Sequence, residues 1–128
     1  MLALDGAVIE QLAQLHPRVC PRQVLGARIG QRAGDLLGLA LPRSDKRLVA
    51  IVEMDGCFAD GVSVATGCWL GRRTLRMVDY GKVAATFIDR RTGRGVRIWP
   101  HPQARMLAER YAPDAPDRWH AQLQGYCL

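Results

Sequence analysis

No stretch of this chain approaches the roughly 18 consecutive apolar residues of a membrane helix, which excludes a spanning segment. Met1–Gly6 carries neither the basic start nor the apolar core of a secretory leader. A cytoplasmic protein is therefore expected, in a compartment where thiols stay reduced. Cys-x-x-Cys is absent, which argues against a thiol oxidoreductase. A prenylation box needs its cysteine fourth from the end, and Cys127 is the penultimate residue. Lysine is scarce: Lys46 and Lys82 are the only two, so the net charge of +6 comes almost entirely from arginine. Aromatics make up 6% and do not interleave with the densest basic points, Arg72-Arg73 and Arg90-Arg91. Scattered charge of that kind reads as a solvated basic surface, and nucleic acid is not an expected partner.

What is present fits a single soluble domain spanning residues 1–128, with 48% hydrophobic and 23% charged residues. Val8, Ile9, Leu12 and Leu15 recur at helical spacing over Asp5–His16, and Pro17 stops that helix. A second helix is expected over Gln23–Leu39. Its Gly26, Gly30 and Gly34 recur every four residues, a spacing that lets another backbone approach. That face is the basis for expecting a homodimer, with packing inside the chain as the alternative.

Leu48-Val49-Ala50-Ile51-Val52 is a continuous apolar run of strand length. Asp55-Gly56 reads as a turn, Cys57–Thr66 as a short helix, and Leu75–Tyr80, Val83–Asp89 and Val96–Trp99 as strands. Gln103–Tyr111 is the last expected helix, followed by a Pro-rich stretch and a tail with Trp119, Tyr126 and Cys127. The class is α+β, with a mixed sheet of about four or five strands flanked by helices.

The chemistry lies in the cysteines. His16-Pro17-Arg18-Val19-Cys20-Pro21 sets an imidazole and a thiol four residues apart across a turn, so both can face one pocket. Cys20 also precedes the second helix, whose N-terminal amides favour a thiolate, and it is expected to be the most reactive of the four cysteines. Cys57 opens the third helix with Asp60 one turn later, as an oxygen ligand or a general base. Cys68 needs a geometric test. On a straight helix it would stand about 16 Å from Cys57, too far for one ion unless Gly67 turns the chain back. Lys82 follows a strand-breaking glycine in Asp79-Tyr80-Gly81-Lys82 and can neutralise an anion. Each of these also has a plain alternative: a packed thiol, a solvated helix end, or a surface turn.

Taken in order, these motifs resemble those of the FmdE family, which takes its name from formylmethanofuran dehydrogenase. His16-Pro-Arg-Val-Cys20-Pro, with Val24-Leu25-Gly26, is similar to its His-Gly-His-x-Cys-Pro-Gly…Leu-Gly motif. Val52-Glu53…Cys57…Asp60, Thr66-Gly67-Cys68…Gly71 and Asp79-Tyr80-Gly81-Lys82-Val83-Ala84 follow in the family's order. The resemblance runs from about Leu15 to Ile98. It implies a thioredoxin-like core domain that can hold zinc through its histidine and cysteine motifs, here His16, Cys20 and Cys57, with Cys68 as a pocket-lining or alternative thiol. It also implies that the treble-clef zinc finger of some members is lacking. The implied role is accessory to one-carbon or molybdenum/tungsten-enzyme metabolism, with a component of such an enzyme as a possible partner and turnover left open.

Two departures from the family pattern put arginine where it has histidine (Arg18) and glycine (Arg22). A guanidinium cannot ligate zinc. The site is then a weaker metal site, a site with a different ligand set, or an anion pocket. The last is the alternative function: a non-catalytic module binding an anionic cofactor or partner through Arg18, Arg22 and Lys82.

Overall fold

A computed structural model describes residues 4–15 and 19–127. Among these described residues are five α-helices and a four-stranded mixed sheet, the expected α+β class. Helix α1 spans Gly6–Leu15, and α2 spans Pro21–Leu37. Strand β1 (Leu48–Val52) is followed by α3 (Cys57–Thr66), a 3-10 turn at Leu70–Arg72 and β2 (Leu75–Met77). Strands β3 (Ala85–Asp89) and β4 (Gly95–Ile98) form a hairpin, and α4 (Ala104–Tyr111) and α5 (Arg118–Cys127) close the chain. No helix among the described residues is long and apolar enough to cross a membrane.

The sheet order is β2-β1-β3-β4. Strand β1 pairs parallel with β2 and antiparallel with β3, which pairs antiparallel with β4. This is the thioredoxin-like arrangement, although no helix separates β2 from β3. A parallel pair cannot be joined by a tight turn, and α3 supplies the crossover from β1 to β2.

Register explains which face is covered. Leu48, Ala50 and Val52 lie opposite Asp89, Phe87 and Ala85, and the apolar members of this row join Ile29, Ala33, Phe58 and Val62 in the main core. Ile51, Thr86 and Arg97 share the other face, which no helix covers among the described residues. The expected strand Leu75–Tyr80 ends early. Beyond Met77 the amides of Tyr80 and Lys82 both donate to the Glu53 carbonyl, at 3.0 and 3.2 Å, and so curl the chain over the end of β1.

The glycine face of α2 is used within the chain. A methyl group on Gly26 would fall on the Phe58 carbonyl oxygen and 3.1 Å from the Val62 amide. One on Gly30 would meet Thr66 and Ala65 at 2.9 and 3.0 Å. Gly61 on α3 answers from the other side, its missing Cβ lying against Gln23 and 2.9 Å from the Ala27 amide. The glycines therefore seat α3 on α2 backbone to backbone, and they give no argument for a dimer.

The expected C-terminal tail is in fact helix α5. Asp117 starts it: its carboxylate accepts the His120 backbone amide at 2.8 Å, and its carbonyl accepts the Ala121 amide. Gly125 then packs against Ala108 of α4, and Arg28 of α2 donates through Nε to the Tyr126 carbonyl at 2.7 Å.

Candidate functional site

Contacts between α2 and α3 pair Gln23 with Gly61, Gly26 with Phe58 and Val62, and Gly30 with Ala65 and Thr66. Residue numbers rise together along both helices, so the two run in the same direction and begin at the same end of the domain. Cys20 is the N-cap of α2, with extended backbone, and Pro21 occupies the first helical position, where its missing N–H is no loss. Cys57 is the first residue of α3. It is set there by Gly56, whose φ of 76° is a left-handed value that favours glycine. The two thiols, 37 positions apart in sequence, meet in hydrogen-bonding contact, and neither is part of a disulfide.

Gln23 fixes the first of them. Its Oε1 accepts the Cys20 amide at 3.1 Å, while its Nε2 donates to the Leu12 carbonyl of α1 at 3.2 Å. The side chain is fully buried, so Cys20 is anchored to two helices at once. Sequence reasoning missed Gln23. A capping glutamine three residues after an N-cap was the signal that could have found it.

The electrostatics of Cys57 differ from expectation. A helix start was expected to favour its thiolate, with Asp60 in support. Instead the thiol is pushed up to about 11, first by burial, then by the neighbouring Cys20 and the negative charge of Asp60. Asp60 does sit in the first turn of α3 beside Cys57, as the spacing implied, but it opposes ionisation of the thiol.

Cys68 lies elsewhere. It is 1% exposed in the main core, and its Sγ donates to the carbonyl of Leu48 at 3.4 Å. Leu48 begins β1 whereas Cys57 follows its end, and a five-residue strand separates the two ends by roughly 13 Å. Gly67 does turn the chain after α3, but toward Leu48 and away from Cys57. Burial raises the Cys68 thiol as well.

Arg22 and Lys82 do not share a pocket. Arg22 lines a cavity of about 280 Å³ with Val83, His101 and Arg105. Lys82 lines a groove of about 490 Å³ on the open face of the sheet, beside Glu53 and Arg97. There Arg97 grips both Glu53 oxygens at 2.7 and 2.9 Å and holds that carboxyl below its usual range, with a smaller contribution from Lys82. Lys82 thus faces a carboxylate of the protein itself. His16 and Arg18 lie outside the described residues.

Whether these residues suit a metal turns on the number of donors. Among the described residues no three His, Cys, Asp or Glu side chains are grouped to hold one. The Cys20–Cys57 pair provides two soft donors, and a third must come from outside those residues. His16, four positions before Cys20, is the donor that the sequence offers.

The fold aligns with a crystal structure of an FmdE-like protein of the tungsten formylmethanofuran dehydrogenase type from Syntrophus aciditrophicus. The TM-score is 0.62 at 23% identity, covering 100% of this chain and 73% of the other, a likeness of fold. A protein of Archaeoglobus fulgidus described as a probable S-adenosyl-L-methionine-binding protein is 39% identical over 89 residues. That match takes in 67% of this chain, which spans only 24% of the length of this relative. The family described as FmdE, molybdenum formylmethanofuran dehydrogenase operon, matches residues 15–124, and this chain belongs to it.

Proposed function

We propose that this protein is a metal-binding accessory protein, with Cys20, Cys57 and His16 as ligands of a zinc ion. The observation that carries the reading is the contact between two thiols delivered by separate helices. Nothing in local structure requires them to meet, and a thiol pair is a soft donor set suited to zinc. Membership of a family named for the formylmethanofuran dehydrogenase operon supports an accessory role beside a molybdenum or tungsten enzyme of one-carbon metabolism. Reduced thiols fit the cytoplasm.

The protein contributes preorganisation. Gln23 holds Cys20 through its backbone, and the α2–α3 glycine contacts hold Cys57 opposite it. Three protein donors leave a fourth position open, where zinc can polarise a bound water or substrate. Asp60, one turn along α3, is the group proposed to take up a proton if turnover occurs.

Cobalt(II) titration of chelator-treated protein tests the reading. Thiolate-to-cobalt charge-transfer bands should appear at one equivalent, and Cys57→Ser should weaken them. Full bands in both Cys20→Ser and Cys57→Ser would contradict it.

A further inference from the structure

A second pocket opens at the end of the sheet where the thiol pair lies. Val52 pairs with Ala85, and Ala85 with Ile98. Val83 and the Pro100–Pro102 segment therefore stand at the same end of the sheet as Cys57. Helix α2 brings Arg22 to this end, two residues after Cys20, and α4 brings Arg105. With α5 they line an open pocket of about 280 Å³. The walls include Leu25, Val83 and Tyr126, and the polar lining is dominated by Arg22, His101 and Arg105. None of the described residues lining the cavity is acidic.

Among the described residues neither Arg22 nor Arg105 forms an ion pair, and Glu109, one turn after Arg105, lies 3.6 Å from Arg118. His101 is oriented: its Nδ1 accepts the Gln103 backbone N–H at 3.1 Å, which leaves Nε2 as the N–H donor of the neutral ring. Two guanidinium forks and an imidazole donor around a small, partly apolar space are complementary to a phosphate or carboxylate.

We infer that this cavity binds a small molecule with an oxyanionic head, phosphate or carboxylate, on a body of a few carbons. Arg22 and Arg105 grip the head and His101 donates to it, while Leu25, Val83 and Tyr126 contact the body. The volume falls just below the range of about 300–1,000 Å³ typical of drug-sized pockets, so a whole dinucleotide is too large. The inference does not rest on metal at the thiols. Lys82, on the other face, takes no part.

The test is a titration of chelator-treated protein with inorganic phosphate and, separately, butyrate, followed by amide NMR at low salt. Saturable shifts are expected at Arg22, Val83, His101 and Arg105, and the tighter probe identifies the head group. Arg22→Ala and Arg105→Ala, both at exposed positions, should each weaken binding at least tenfold. Arg91→Ala removes the same charge from the exposed β3–β4 turn and should leave binding unchanged. The inference is overturned if neither probe saturates, if Arg91→Ala weakens binding as much as Arg105→Ala, or if the shifts spread over the whole basic surface.

Discussion

Gly26 of α2 rests on the carbonyl oxygen of Phe58 in α3, with no room for a methyl group between them. This contact is what carries Cys57 to Cys20. Gly26→Ala should destabilise the domain by about 1–3 kcal/mol, the usual cost of overpacking, and it should also weaken metal binding by separating the thiols. Urea denaturation and cobalt titration of the same variant read the two effects. A variant as stable as the parent would mean that the helices can part without cost.

The thiols should differ in reactivity. In chelator-treated protein Cys20 is expected to alkylate first, Cys57 later because burial, Cys20 and Asp60 push its thiol up to about 11, and Cys68 only on unfolding, since it is 1% exposed. Asp60→Asn removes a negative neighbour, so the Cys57 thiol should ionise at lower pH and react faster. Mass-spectrometric alkylation rates across a pH series decide it, and an unchanged Cys57 rate in Asp60→Asn would contradict the assignment.

Much of this arrangement was legible in the sequence. The five-residue apolar run at Leu48–Val52 and the turn at Asp55-Gly56 placed β1 and the start of α3, because a buried strand and a left-handed glycine leave local signatures. Cys20 and Cys57 were both marked by their helix-start positions. Their meeting was implied by the family resemblance and not by local pattern, since it depends on Gly26 and Gly61, 35 positions apart on two packed helices. For Cys68 the sequence left open whether Gly67 turns it back to Cys57; the answer lies in its burial in the core and its contact with Leu48 on a distant strand. Helix α5 escaped because its apolar periodicity is weak and its support comes from α2 and α4.

Zinc binding should depend steeply on pH. The metal takes thiolates, and the Cys57 proton must be displaced from a group raised to about 11. Below both thiol pKa values, affinity should fall by up to about a hundredfold per pH unit, one factor of ten for each proton released. Competition with a chelator of known affinity across a pH series measures this slope, and a flat profile would exclude ligation by both thiols.

The end of the sheet opposite the thiols has its own titration. Arg47 donates to both oxygens of Asp89 at 2.8 Å, and this pairing is the main reason the buried carboxyl is held well below its usual range. A depressed folded-state value stabilises the fold above the unfolded pKa of about 3.9, and the contribution is lost as pH falls through the folded value. Arg47→Met should therefore be less stable than the parent near neutrality, with the gap narrowing in strong acid. Thermal melts at several pH values test it, and a gap independent of pH would contradict the linkage.

The most direct test is the metal content of the protein purified without added metal, by elemental analysis of the parent, Cys20→Ser, Cys57→Ser and His16→Ala. The parent should carry close to one zinc per chain, with marked loss in each variant while Cys68→Ser, if folded, keeps it. Zinc absent from the parent, or undiminished in the Cys20 and Cys57 variants, would contradict the account.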